Sequence, residues 1–574
     1  MVNLRATLIA LAPLGLAGCM AIGPAAPRAD LEAEHPSSYG LFLAGQAAVD
    51  HGDSAQAEAL FAKAAVAAKG PDDAFLQGQA FTYALLAGEI AHAAAIAPTG
   101  PDADRDLAQL GRLVRGVEAL AEGKGAAARV DIVAAETSPA TTIAASLLAP
   151  FAAAQAGDRE ASISQPVIAQ QPAAQFFARL DQGLLFERAR RYDEAETAFR
   201  ALIANGDPGG LASLDLGGML ERRGRGAEAV AIYDEAIAKA KSEPALAAAR
   251  ARAAAHRPAP AAPSLRRAAA DALIASASAF VERKDVETGL AYLRLALRLD
   301  PTRDEAWVMV GDVLAEIGDA QGARAAWSSP KPGSPEFATA RAKLVWSYQS
   351  ADQKDQALAV ARAAAAASPH ESEAAINLAD ILRADERYDE SAKILDGLIS
   401  AQADHPDWKL LYMRAVDAEE SGRWTDAERD LQRALALRPD EPELLNFLGY
   451  SWIDRGEKLP QALAMVQKAV TLDPQSGAMI DSLGWGYYRL GDYQKAVEKL
   501  ETAVGLEPGD PDVNNHLGDA YWRVGRRLEA RFQWDRVLTL DPSAKLKSEV
   551  EGKLKSGLDG PPAPAQVADQ TPHA

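Results

Sequence analysis

The chain has 574 residues, 80 acidic against 60 basic side chains, a formal net charge of −20 and one cysteine. That length exceeds what a single compact core accommodates. The acid excess argues against nucleic acid as a partner, because phosphate binding needs concentrated positive charge. A lone cysteine excludes an intrachain disulfide. Alanine and leucine dominate, aromatics make up 6%, and no run of alternating apolar residues marks a strand, so the pattern predicts an all-α chain.

Residues 1–18 read as an export signal. Arg5 supplies positive charge, Leu8 to Leu16 an apolar core too short for an ordinary membrane span, and Leu16-Ala17-Gly18-Cys19 the cleavage region. Leu-Ala-Gly-Cys resembles the lipobox of bacterial lipoproteins, which implies lipidation of the Cys19 thiol and attachment to a membrane through it. In that family the residue after the cysteine directs sorting. Met20 is not the aspartate that retains proteins at the inner membrane, so the resemblance implies an outer-membrane anchor in a bacterial envelope, facing the periplasm. Residues 19–36, rich in Ala, Pro and Gly, are expected to form a flexible tether.

Residues 37–255 read as a first solenoid of degenerate helical repeats. Gly45, Gly52, Ala57, Phe61 and Ala64 mark one copy. From 74 to 165 the copies fade to alanine-rich helix, with Gly116, Gly123 and Ala128 keeping the spacing. Gly183, Phe186, Ala195 and Phe199 then recur as Gly217, Leu220, Ala229 and Tyr233, 34 residues on for the glycine. The prolines of HRPAPAAP, residues 256–263, cannot sit inside a helix, and the stretch is expected to join two solenoids. The second covers 264–542 and holds all nine tryptophans. Residues 543–556 (Lys545, Lys547, Glu549, Glu551, Lys553, Lys555) are expected to form a polar-faced capping helix, and 557–574 a disordered tail.

The sharpest copies are LNFLGYSWIDRG (Leu445 to Gly456), IDSLGWGYYRLG (Ile480 to Gly491) and NNHLGDAYWRVG (Asn514 to Gly525). Downstream lie Ala462, Val466 and Pro474; Ala496, Leu500 and Pro508; Ala530, Trp534 and Pro542. This pattern resembles the tetratricopeptide repeat, a helix–turn–helix unit of about 34 residues that stacks on its neighbours into a superhelical solenoid. Gly449, Gly484 and Gly518 leave room for the second helix, and the prolines close each unit. Glu457-Lys458-Leu459-Pro460 makes the first turn one residue longer and predicts a bulge there. Counting weak copies, about twelve to fourteen repeats are expected.

No HExxH, GxSxG, CxxC or GxxxxGK[ST] motif occurs, and the eight histidines are scattered. The expectation is a non-enzyme without cofactor or metal. The family pattern places the binding surface on the inner wall, lined by the first helix of each pair: Asn446, Tyr450 and Ile453; Asp481, Trp485 and Tyr488; Asn515, Asp519 and Trp522; with Arg489 and Arg523 following. Asn and Asp can hydrogen-bond an extended peptide, Trp and Tyr offer flat apolar area, and Arg takes carboxylates. Packing between repeats is the competing role for Tyr450, Tyr488 and Trp522, and His516 reads as packed or solvated. Alanine at both Asp481 and Asn515 is expected to weaken partner capture and leave helicity and melting nearly unchanged.

The layout as a whole, with NHLGDAYWRVGRRLEARFQW at its end, resembles long proteobacterial tetratricopeptide lipoproteins. That group includes outer-membrane adaptors that bring cell-wall hydrolases to a periplasmic carboxyl-terminal processing protease. The resemblance implies a protein-binding scaffold or adaptor with periplasmic proteins or peptides as partners, a protease adaptor in peptidoglycan turnover being its most concrete form. An assembly or secretion factor for envelope polysaccharide or outer-membrane proteins is the alternative.

Overall fold

The computed structural model describes residues 37–68, 73–99, 103–138, 141–164, 172–239, 244–367, 372–402 and 406–558. Among them lie thirty α-helices and no strand: fourteen helix–turn–helix pairs, with Pro244–Ala254 and Ala544–Ser556 standing alone. Most helices pack on the next in sequence, and first helices of successive pairs touch in the last repeats, as Pro442–Arg455 does Gly477–Arg489 and the latter Pro511–Arg523. Every pair buries its apolar face against its neighbours, so the chain is the all-α solenoid its sequence predicts.

Two compact units divide at Ser276/Ala277, inside helix Leu265–Glu282 and not at the prolines. The reason is visible in the bonding of residues 256–263. Arg222 Nη1 donates to the Pro260 carbonyl at 3.0 Å and Arg188 Nη1 to that of Pro263 at 3.2 Å. The stretch is non-helical, yet it is tied to the unit before it.

The recurrent glycine explains how each pair closes. A Cβ at Gly45 would lie 2.9 Å from the Phe61 ring, at Gly183 2.5 Å from Phe199, at Gly217 2.3 Å from Tyr233, at Gly311 2.3 Å from Trp327 and at Gly518 2.5 Å from Trp534. In each case the large side chain sits sixteen positions later, on the second helix, and fills the space the glycine leaves. At Gly449 the partner is Val466, seventeen positions on. The extra residue is absorbed at Lys458, whose φ of 44° is left-handed. Its ammonium lies 4.2 Å from the Trp452 ring centroid and pairs with Glu428.

Polar side chains tie one repeat to the next at the same period. His92 meets Glu58, Arg222 meets Glu187, Arg383 meets Asp417, and Arg489 meets the Asp454 carbonyl, each 34 or 35 positions apart. Short helices are marginal alone. Their order here comes from these neighbour contacts, with side-chain caps such as Asp510 on the Val513 N–H (3.0 Å) setting where several begin.

The N-terminal unit holds an acidic niche. Asp181 is 6% exposed and its Oδ2 has no hydrogen-bond partner among the described residues. Burial, then the charges of Asp271 and Asp215, raises its pKa well above the carboxylate range. Burial also raises Asp215, against the opposing pull of Arg222, and with Asp271, Glu187 and Asp207 adding to it the group reaches about 7. The opposing guanidinium of Arg222 is already bidentate to Glu187 at 2.8 Å. A carboxyl raised on folding keeps its proton in the folded chain, so the folded state binds more protons and stability falls as pH rises from about 4 to about 7. We expect the N-terminal unit to lose about 2 kcal/mol between pH 5 and pH 7.5, and Asp215→Asn to flatten that slope. Far-UV circular dichroism in urea reads both units, whereas tryptophan emission reads only residues beyond 300, where all nine tryptophans lie. Equal stability of the circular-dichroism component at the two pH values would contradict the expectation.

Candidate functional site

The first helices of the last three repeats carry the predicted wall. Pro442–Arg455 and Pro511–Arg523 start on prolines whose missing N–H costs nothing at that position, and Gly477–Arg489 is capped by Ser476. The spacing does bring the predicted residues to one face. It does not leave that face open.

Asp481 is buried, and its two carboxylate oxygens lie 3.0 and 2.9 Å from Nδ1 of His516 on the next first helix. The imidazole stacks on Trp485 (centroids 4.2 Å, planes 16° apart), and Trp485 stacks in turn on Tyr488 (4.6 Å, 8°). Burial disfavours the charged imidazole, but the carboxylate of Asp481, helped by Asp519 and Asp512, outweighs it and raises the His516 pKa. Tyr488 is buried too, and its hydroxyl accepts from Arg523 Nε at 3.3 Å. His516 has a structural role here, joining one first helix to the next.

The same arrangement closes the end of the array. Lys553 Nζ donates to Asn515 Oδ1 at 2.9 Å and to Asp519 Oδ2 at 2.8 Å, and meets Glu549 at 2.6 Å. Three donors find three acceptors, which is what a buried ammonium requires. The other oxygen of Asp519 accepts from Trp534 Nε1 at 3.0 Å. Burial nevertheless raises the Asp519 pKa, with Lys553, His516 and Trp534 opposing it. An interior repeat is built alike: Asp312 accepts from Trp327 Nε1 at 3.1 Å and pairs with Lys343 of the following first helix at 3.0 Å.

Asp481, Asn515, Asp519 and Tyr488 are therefore not free wall residues. Each is sealed between successive helices by a partner about one repeat away, so alanine at Asp481 and Asn515 strips buried partners and must affect melting. Ile453 is fully buried core. Trp522 is half-buried beneath the chain end: a Cβ on Gly557 (φ 74°) would lie 2.1 Å from its ring, and Leu558 packs in the same cluster. Gly557 and Leu558 thus belong to the packed unit and not to a tail; residues 559–574 lie outside the described ones. Lys553, read as part of a solvated face, points inward with Leu546 and Val550.

What stays half-buried on the wall is Asn446, Tyr450, Trp485, Arg489 and Arg523. Arg489 donates to the Asp454 carbonyl at 2.6 Å. Burial pushes the Tyr450 hydroxyl well above its ordinary pKa, with Asp454, Asp481 and Asp512 reinforcing it. Asn446 Oδ1 and Trp485 Nε1 have no hydrogen-bond partner among the described residues. Among those residues, too, no trio of ligand-type side chains could hold a metal, and no helix is long and apolar enough to cross a membrane.

Models of the tetratricopeptide repeat match residues 180–244, 348–414 and 412–477, and a TPR repeat model matches 486–525. TPR repeat-containing protein PA4667 of Pseudomonas aeruginosa is 39% identical over 85 residues, a match that spans 15% of this chain and only 14% of that protein. Among solved structures, TTC0263, a thermophilic TPR protein of Thermus thermophilus, is 23% identical over 32% of this chain and 100% of its own, with a TM-score of 0.29. The APC/C hetero-tetramer Cut9-Hcn1 is 16% identical over 91% of this chain and 96% of its own, with a TM-score of 0.37. Two of the matched segments, 180–244 and 412–477, contain helix pairs closed by the glycine seam, and residues 180–244, 348–477 and 486–525 are tetratricopeptide repeats, a fold that serves as a scaffold for protein–protein interaction.

Proposed function

We propose that this chain is a non-catalytic scaffold or adaptor, held by a lipid on Cys19 at the periplasmic face of the outer membrane, that binds periplasmic proteins or peptides along its last repeats. A protease adaptor in peptidoglycan turnover is the most concrete form. Residues 1–36 lie outside the described ones, so the anchor is supported by Leu16-Ala17-Gly18-Cys19 alone. The binding surface is supported by one observation: Asn446 Oδ1 and Trp485 Nε1, on neighbouring first helices, are a buried acceptor and a buried donor left unanswered. Each such atom costs about 1–3 kcal/mol unless something pairs with it. An extended peptide brings an N–H and a C=O of its own.

Pull-down from solubilised envelopes, read by mass spectrometry, tests this. A periplasmic processing protease should be recovered with cell-wall hydrolases, and lost on Asn446→Ala with Trp485→Phe, a change that keeps an aromatic ring on His516 and Tyr488 while removing the N–H. Recovery of polysaccharide or outer-membrane assembly machinery would instead make the chain an assembly factor. Capture indifferent to both substitutions would remove the surface. Cys19→Ser should shift the protein to the soluble fraction, and continued membrane fractionation would rule out the lipid anchor.

A further inference from the structure

Among the described residues the array does not close on a repeat. It ends on a single helix, Ala544–Ser556, that has no second helix behind it among the described residues. Only Leu546, Val550 and Lys553 of that helix are buried, against nine residues of Pro511–Arg523. Its far end is held by Arg531 Nη1, which donates to the Leu554 carbonyl at 2.6 Å, and by Gly557 and Leu558 against Trp522. The face it covers is made without its help. Asp519 is aimed by Trp534 Nε1, and Trp534 is fully buried against Gly518. In the interior, Asp312 and Trp327 offer the same acceptor to Lys343 of the next repeat. An acceptor face of this kind is thus built to receive a lysine-bearing helix. After the last repeat the occupant is a lightly buried helix that belongs to no helix pair among the described residues.

We propose that the face formed by Asn515, Asp519 and Trp522 is an exchangeable socket for a lysine-bearing amphipathic helix, filled in cis by Ala544–Ser556 and open in trans to a partner helix of the same register. The occupant defines the chemistry sought: an apolar residue, a second one four positions on, and a lysine three further, as in Leu546, Val550 and Lys553. The ammonium gives specificity, since Asn515 and Asp519 are buried acceptors that an apolar side chain would leave unpaired. Local opening of the least buried helix supplies the route. That the trans helix belongs to a partner protein rests on the scaffold reading above; the socket itself does not.

The test uses the full chain and a labelled peptide with the sequence of residues 543–558, SAKLKSEVEGKLKSGL. Lys553→Glu places a carboxylate against Asp519 and should release the cis helix. Fluorescence anisotropy is expected to show the peptide binding this variant at least about tenfold more tightly than wild type. Binding should vanish when the variant also carries Asp519→Asn, or when the peptide carries glutamate in place of its Lys553 equivalent. Hydrogen exchange on the wild-type chain should show amides 544–556 exchanging about tenfold or more faster than 511–523. Equal protection of the two segments in wild type, or continued protection of 544–556 in the Lys553→Glu chain, would overturn the proposal. So would a released helix with no peptide bound. Failure here beside a successful envelope pull-down leaves the scaffold reading standing, and the converse leaves the socket.

Discussion

Alanine at Asp519 should destabilise the C-terminal unit by about 3–5 kcal/mol, the cost of stripping one partner from a buried ion pair. Two groups lose an acceptor at once: the Lys553 ammonium, one of its three, at 2.8 Å, and the Trp534 N–H, its one acceptor among the described residues, at 3.0 Å. Both side chains are buried, so neither reaches water while helix Ala544–Ser556 stays docked. Asp512, two helical turns nearer the start of the same helix, is exposed, and alanine there should cost within about 0.5 kcal/mol. Adding Lys553→Met to Asp519→Ala should recover at least about 1 kcal/mol, because it removes the under-paired charge and leaves two neutral groups, the indole N–H and Asn515 Oδ1, unpaired. Tryptophan emission during urea unfolding reads the effect in this unit alone. Equal midpoints for Asp519→Ala and Asp512→Ala would show that the Lys553 pair carries no stability.

The contrast between those two aspartates marks what the sequence makes legible. Spacing from the Leu-Gly pair puts Asp481, Asn515 and Asp519 at fixed positions around their helices, because a 3.6-residue period fixes direction. It says nothing of depth. Depth is set by His516 and Lys553, which arrive from 34 to 38 positions later. That signal exists in the chain as charge recurring at the repeat period, Arg222 with Glu187 or Arg383 with Asp417, and as the Gly-Asp followed by tryptophan fifteen residues on, shared by Asp312 and Asp519. Lys553 is hidden by its surroundings. Lys and Glu alternate through 545–555, and the alternation masks a stripe of Leu546, Val550 and Lys553 at helical spacing. The joint at 256–263 fails differently: prolines forbid a helix, but they leave carbonyls free to accept from Arg188 and Arg222. Composition reports the first property and not the second. The glycine seams, by contrast, follow directly from sequence, since a missing side chain and a large one recur at fixed offset in copy after copy.

Those seams predict a second large effect. Valine at Gly518 should cost about 3 kcal/mol or more, because its Cβ would lie 2.5 Å from Trp534 Nε1 and 2.6 Å from Cδ1. The indole cannot retreat: it is fully buried, and its N–H is fixed on Asp519. Overpacking of this kind forces backbone and rotamer shifts, and here they would pull Asp519 away from Lys553 as well. Two other glycines separate this cause from glycine chemistry in general. Gly525 has open space around its absent Cβ but a φ of 86°, so alanine there should cost about 1 kcal/mol through backbone strain alone. Gly505 lies inside helix Tyr493–Leu506 with open space and no positive φ, and alanine should stabilise by up to about 1 kcal/mol. The three substitutions therefore differ in sign and size for stated reasons, and urea midpoints followed by tryptophan emission rank them. A Gly518→Val chain no less stable than Gly525→Ala would mean that the seam relaxes freely, and the interlock of glycine and large side chain would lose its role in holding each repeat closed.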